Sequence, residues 1–307
     1  MSNATLDNTI ISKHLGQVSE YKDQYDPTLL VREPRSNNRL HLDIHDDNLP
    51  FTGYDIWNAY EVSALTDTGF PVAGVAKIIY PCDSKYIVES KSIKLYFNSF
   101  NMYKCGSTSE DVVDFITAKA ESDLGRLLET SVHVNIQLAH VTPTGEPLFS
   151  RGRYHTLEKM VTAKEIREMN VSTYVETPEL LEDDLTTVEY DVVDRYHSSL
   201  LKSNCRVTSQ PDWGDVYIYY KGQTQIAPMS LLRYIISFRD ECHFHEEICE
   251  TIYKRVLDIA DPDELAVTCL YARRGGIDIN PTRATDRSLI SKDLIDCHTA
   301  HIKTAKQ

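Results

Sequence analysis

The pattern Tyr-x-x-Ser-Phe occurs twice, as Tyr96-Phe97-Asn98-Ser99-Phe100 and as Tyr234-Ile235-Ile236-Ser237-Phe238, and each copy opens the same succession of elements. After the first, Val112, Val113, Ile116, Ala120, Leu124 and Leu127 recur at helical spacing, behind Ser107-Thr108-Ser109-Glu110, which resembles a capping box. Val132, Val134, Ile136 and Leu138 then alternate with His133, Asn135 and Gln137, the period of a half-buried antiparallel strand. After the second copy, Ile248, Cys249, Ile252, Tyr253, Val256 and Leu257 trace one helix face. Leu265, Val267, Cys269 and Tyr271 follow on one face of a strand. A five-residue echo is weak alone; the shared order of elements makes it a duplication. Two further strands, Tyr60–Leu65 and Val72–Tyr80, flank the turn residues Asp67-Thr68-Gly69. The fold class is therefore α+β, built as two tandem modules.

With 307 residues, 41% of them hydrophobic, the chain can bury one large core or two smaller ones. Its net charge of −14 excludes a broad phosphate-binding surface, so any anionic ligand must meet a local basic cluster. No run approaches the length of a membrane-spanning segment, and the opening MSNATLDNTI lacks a signal-peptide layout. The seven cysteines are odd in number and scattered, which reads as reduced thiols in a cytoplasmic protein. Residues 1–45 are polar and irregular and read as a lead-in packed on the body; the acidic stretch from Glu176 to Asp184 reads as a linker or a solvated helix. The expected division is a lead-in at 1–45, a first module at 46–175, a linker at 176–190, a second module at 191–290 and a tail at 291–307.

Several common signatures are absent: no G-x-G-x-x-G, no Walker loop, no H-E-x-x-H and no G-x-S-x-G. A nucleotide cofactor, if bound, is bound outside a Rossmann domain. Cys242, His245 and Cys249 could be drawn as a zinc site, but no second cluster supplies a matching pair, and a polar helix start with Cys249 buried explains them as well. His245-Glu246 puts a donor beside a carboxylate at a helix start. Cys205 is flanked by Lys202 and Arg206, whose charge favours a thiolate. Asp212 lies in Pro211-Asp212-Trp213-Gly214, where the ordinary role is turn-making. Lys91 and Lys94, or Arg273-Arg274 before Gly275-Gly276, can hold a phosphate or be solvated surface charge.

Taken together these segments resemble the QueF family, the NADPH-dependent 7-cyano-7-deazaguanine reductases of queuosine biosynthesis, in its long, bimodular form. The resemblance is carried by Glu89-Ser90-Lys91-Ser92-Ile93-Lys94-Leu95-Tyr96, by Ser203-Asn204-Cys205 and Gln210-Pro211-Asp212-Trp213-Gly214, by Ser237-Phe238-Arg239 and Phe244-His245-Glu246, and by Arg273 through Pro281. It covers roughly two-thirds of the chain in blocks. It implies two tandem tunnelling-fold modules, each an antiparallel sheet with helices on one face, and a homodimer.

The chemistry implied is reduction of a nitrile to a primary amine, with two NADPH consumed. The residue matching the family's nucleophile is Cys205, which would form a thioimide, and the one matching its proton donor is Asp212, whose partial burial suggests a raised pKa. Val88, Glu89, Ser90, His245 and Glu246 match residues that bind the base. Ser90, Lys91, Arg274 and Gly275 match those that contact NADPH. No metal, direct nucleic-acid binding or membrane association is implied. The alternatives are another tunnelling-fold enzyme, such as a zinc cyclohydrolase or an amidine-forming relative, and a non-catalytic purine-binding module. Zinc is disfavoured by the missing ligand pattern, the amidine route by the Glu89–Tyr96 cofactor motif, and the bare binding module by Cys205 with Asp212.

Overall fold

A strand of alternating polarity can bury only one face, so the two alternating stretches require a sheet covered on one side by helices. The computed structural model, which describes residues 22, 24–138, 149, 153–168, 171, 173–299 and 307, has that architecture. In chain order it forms β1 (Arg32–Pro34), α1 (Ser36–Arg39), β2 (Thr52–Leu65), β3 (Pro71–Pro81), β4 (Tyr86–Val88), α2 (Ser90–Asn98), α3 (Ser109–Leu128) and β5 (His133–Leu138). Then come β6 (His155–Thr156), α4 (Leu157–Met160), α5 (Ala163–Glu168), β7 (Thr186–Ser198), β8 (Lys202–Cys205) and β9 (Pro211–Gln225). The chain continues through α6 (Pro228–Ser237), β10 (Cys242–His243), α7 (His245–Ala260), β11 (Glu264–Tyr271), β12 (Ile277–Ala284) and α8 (Lys292–Ile295). A hairpin, two helices and a returning strand thus occur twice.

Ten strands make one sheet in the order β10-β8-β9-β11-β12-β2-β3-β5, with β7 also on β9 and β6 on β7. Pairing is antiparallel except for two short parallel contacts, β10 with β8 and β6 with β7. The halves join where β12 runs against β2, from Ile277 opposite Ala59 to Ala284 opposite Thr52.

On one face, α2 and α3 bury Val112, Ile116, Ala120 and Leu124 against Trp57, Ala76 and Ile78, and Val113 and Leu127 sit at the edge of that core. On the same face, α6 and α7 bury Ile248, Cys249, Ile252, Tyr253 and Val256 against Leu265, Val267, Cys269 and Tyr271. The opposite face is covered in part by Leu294 of α8, Phe149 and Tyr154 over Ile56, Ile79, Tyr217 and Leu270. Lys77 Nζ holds this tail by donating to the carbonyls of Asp293, Asp296 and Thr299 at 3.2, 2.6 and 3.0 Å.

Each repeat motif proves to be the end of a helix. The Ser99 and Ser237 hydroxyls donate to the carbonyls of Tyr96 and Tyr234 at 2.6 and 2.7 Å. The two fully buried tyrosines donate to Asp123 and Glu176, each at 2.9 Å. Two local expectations shift. The capping box lies one residue later than expected: Thr108 Oγ1 accepts the Asp111 N–H at 3.1 Å and Asp111 accepts the Thr108 N–H at 3.0 Å. This frees the Ser107 hydroxyl to meet Asp67 at 3.0 Å. Pro211-Asp212-Trp213-Gly214 is not a turn but the start of β9, with Asp212 opposite Ser203. Proline at a strand's first residue costs no ladder donor, and Gly214 admits the Tyr271 ring, which a β-carbon there would meet at 3.2 Å.

In the acidic stretch, Leu181 is fully buried and Glu176 accepts from Arg255 at 3.1 Å as well as from Tyr234. Residues 1–21 of the expected lead-in and 300–306 of the expected tail lie outside the described residues. The described lead-in enters the body through Arg35 and Arg39, 3% and 1% exposed. Arg39 and Arg283 both pair with Glu250 at 2.8 and 2.9 Å, and Arg283 also pairs with Asp55 at 2.9 Å. Buried charges persist only when paired, so this network ties lead-in, β2, α7 and β12 into one body. No helix among the described residues is long and apolar enough to cross a membrane.

Candidate active site

Four separated segments converge on one cavity. The first is the end of β8. Cys205 there is half-buried, and its N–H donates to the Gln210 carbonyl at 2.8 Å, closing the loop that returns as β9. Asp212 on β9 is 3% exposed. One of its oxygens lies 3.3 Å from His245 Nε2, and the other is bonded by Arg274. The Arg274 guanidinium also reaches Cys205 and, at 3.4 Å, Thr208 Oγ1. Burial pushes the Asp212 carboxyl up, but His245 and Arg274 outweigh it and hold the group below the usual carboxylate range. This corrects the expected raised pKa: the His245 and Arg274 partners were not visible from the local sequence.

The second segment is the start of α7. The His245 ring stacks on Tyr271 with centroids 3.8 Å apart and planes 21° from parallel. Glu246 is 2% exposed, and its Oε1 has no hydrogen-bond partner among the described residues. Burial, reinforced by the negative charge of Asp55, pushes its carboxyl up to about 8.

The third segment is the start of α2. Glu89 caps that helix, accepting the N–H groups of Lys91 and Ser92 at 3.0 and 2.7 Å, which fixes Val88 through Lys91 in one geometry. Lys94, one turn on, pairs with Glu61 at 3.0 Å.

The fourth is the turn from β11 to β12. Gly275 and Gly276 there take φ of 56° and 79°, which favours glycine. The Gly276 carbonyl accepts from the Tyr60 N–H at 2.9 Å, so closely that a β-carbon on Gly276 would stand 2.7 Å from Glu61.

The cavity they enclose is about 260 Å³ and is lined by Cys205, Asp212, Val88, Glu89, Ser90, Lys91, His245, Glu246, Arg274 and Gly275, the ten residues to which the family resemblance assigns catalysis or binding; Lys202, Arg206 and Arg273 do not line it. Lys94 also lines it, as do Trp57, Thr208, His243, Phe244 and Ile277, which sequence reasoning had not placed there. Of these His243 is chemically the most distinctive. Its ring lies 3.1 Å from Glu241 and 3.2 Å from Glu247. Burial alone would lower its pKa, but the two carboxylates raise it to about 9, so it is cationic at neutral pH. The available signal was a histidine with glutamates two residues before and four after it. The conceivable zinc trio does not assemble: Cys249 is buried with its thiol on the Val267 and Pro281 carbonyls, and Cys242 is exposed. No cluster of three or more His, Cys, Asp or Glu that could hold a metal occurs among the described residues.

A thiol, an aspartate–imidazole pair, a buried carboxyl with one oxygen unpartnered among the described residues, and four cations (Lys91, Lys94, Arg274 and His243) line one cleft, which defines the class: an enzyme site on a repeated α+β scaffold. Similarity to known proteins narrows it. A family profile described as nitrile reductase, 7-cyano-7-deazaguanine-reductase N-term, matches residues 21–136, and one described as QueF-like protein matches residues 211–289. The NADPH-dependent 7-cyano-7-deazaguanine reductase of Rickettsia akari (strain Hartford) is 40% identical over 284 residues, 89% of this chain and 93% of the relative. The protein of the same name from Legionella pneumophila (strain Lens) is 38% identical over 279 residues, 91% and 92% of the two chains. A solved archaeosine synthase QueF-Like chain in the apo form aligns with 32% of this chain and 94% of its own, at 17% identity and a TM-score of 0.28, too remote to argue from. The chain belongs to the NADPH-dependent 7-cyano-7-deazaguanine reductase family.

Proposed function

We propose that this protein reduces the nitrile of 7-cyano-7-deazaguanine to the primary amine, 7-aminomethyl-7-deazaguanine, with NADPH, in queuosine biosynthesis. The observation that carries the reading is the convergence of Cys205, Asp212, Glu246 and Lys91 on one cavity from distant parts of the chain.

A nitrile carbon is electrophilic and suits a soft sulfur nucleophile. The Cys205 sulfur bonds to that carbon, one π pair of the triple bond moves to nitrogen, and nitrogen takes up the proton the thiol loses. The product is a thioimide. Asp212, ionised at rest because of His245 and Arg274, accepts the thiol proton and passes it to the nitrogen, acting as base and then as acid. The base ring offers N–H donors, which suit the carboxyl oxygens of Glu246 and Glu89. Val88, Ser90 and the stacked His245 complete its pocket.

The residues at the rim fit an anionic dinucleotide. Lys91 and Arg274 give local positive charge in an acidic chain, and Ser90 and Gly275 let the ligand approach the backbone. Two NADPH molecules held there in turn would each supply one hydride: after the first, the Cys205–carbon bond would break to return the thiol and leave an imine, which the second hydride and a proton would take to the amine. The same proposal includes a cytoplasmic location, a homodimer, no direct nucleic-acid contact, and module boundaries at 46–175 and 191–290 around a linker at 176–190.

The test is to mix protein, 7-cyano-7-deazaguanine and NADPH and follow the reduced-nicotinamide absorbance. Depletion is expected; no oxidation by folded protein sinks the reading. Asp212→Asn is expected to slow adduct formation by on the order of 10²–10⁴ while base binding survives.

A further inference from the structure

The residue after the nucleophile turns back toward α7. The Arg206 guanidinium donates to Glu247 Oε1 at 2.6 Å. Glu247 is 5% exposed, and its Oε2 accepts the Phe244 N–H at 3.0 Å and faces His243 Nδ1 at 3.2 Å. The backbone of His243 lies in register with Cys205 across the β10–β8 pair. One buried carboxylate therefore fastens three parts of the site: the end of the nucleophile's strand, the strand beside it, and the first turn of the helix that presents His245 and Glu246. Arg206 and Glu247 themselves do not line the cavity.

Stability alone does not account for the arrangement. Burying a carboxylate costs desolvation that pairing at best offsets, and a pair whose arginine side chain is 27% exposed contributes little. Geometry accounts for it better, because misplacing a reacting group by about 1 Å can cost on the order of 10²-fold in rate.

We propose that Glu247 is a positioning residue for thioimide formation, holding the Cys205 loop against the start of α7 through Arg206 and His243. The proposal rests on the reductase reading above. The experiment is an intact-mass time course of adduct formation with 7-cyano-7-deazaguanine in the absence of NADPH. It compares wild type, Glu247→Gln, Arg206→Leu, Arg206→Lys and the double variant of Glu247→Gln with Arg206→Leu. Glu247→Gln and Arg206→Leu should each slow the adduct by on the order of tenfold, and the double variant should be no slower than the worse single one. Arg206→Lys should recover most of the rate, and the KM for NADPH should stay within about twofold of wild type. A folded Arg206→Leu protein reacting at the wild-type rate overturns the proposal even if Glu247→Gln fails to fold. So does a loss shared equally between adduct rate and NADPH KM. A wild type that forms no adduct removes the reductase reading itself; a wild type that does, with variants that match it, removes only the positioning role.

Discussion

The two halves share a plan, yet the cleft uses different helices from each. In the first half it takes the start of α2, the helix ending in the repeat motif; in the second it takes the start of α7, the helix after the motif. The equivalent starts are plain. That of α3 is closed by Thr108 and Asp111, both exposed, and α6 begins at Ala227-Pro228 with no side-chain cap. At the two used starts the carboxylates are buried, with Glu89, Glu246 and Glu247 exposed by 5%, 2% and 5%. A helix start needs only a polar cap. Buried carboxylates there are more costly: Glu89 and Glu247 still cap their helices through the N–H groups of Lys91, Ser92 and Phe244, whereas one Glu246 oxygen has no hydrogen-bond partner among the described residues.

The contrast can be broken at its strongest point first. Cys205→Ala in the second half is expected to abolish both the covalent adduct seen by mass spectrometry and turnover. An adduct persisting in that variant would move the nucleophile to another cysteine. Next comes Glu246. Since it is protonated below about 8 in the free protein, a base that needs the carboxylate binds more tightly as pH rises toward that value. The gain should be roughly tenfold per unit and level off above it. Glu246→Gln should flatten that dependence and weaken binding about tenfold to a hundredfold, for a charged hydrogen bond of about 1.5–3 kcal/mol. Calorimetric titrations across pH decide this, and a flat wild-type profile would contradict the assigned role.

In the first half a smaller and different effect is expected. Lys91→Ala should raise the KM for NADPH about tenfold with kcat little changed, the sign of a contact made equally in ground and transition states. A fall in kcat instead would place Lys91 in the chemistry. Smallest of all, Thr108→Ala at the unused start of α3 should cost about 1 kcal/mol in denaturant unfolding and leave steady-state kinetics untouched. A kinetic effect there would erase the distinction between used and unused helix starts.

The periodic signals were legible because they are local. The apolar stripe from Val112 to Leu124 and the face from Leu265 to Tyr271 are buried as read, since a 3.6- or 2-residue period survives any arrangement of neighbours. The resemblance placed all ten site residues, and they share one cavity. What escaped depended on partners remote in sequence. Pro211-Asp212-Trp213-Gly214 looked like a turn because its ladder partner, β8, was not known. The Asp212 carboxyl was expected to be raised because Arg274 was not yet beside it. His243 went unplaced because only the β10–β8 pairing brings it alongside Cys205.

By itself, then, the sequence determined a duplicated α+β chain, with helices and strands in a set order and motif residues of a nitrile-reducing family. Tertiary structure alone decided which helix starts face each other, through the antiparallel join of β12 to β2 that sets the Gly275-Gly276 turn over α2. It also decided the charge states within the cleft. Propensity and periodicity act over a few residues along the chain, whereas an ionisation equilibrium responds to every charge and every lost water within several ångströms, whatever its distance in sequence.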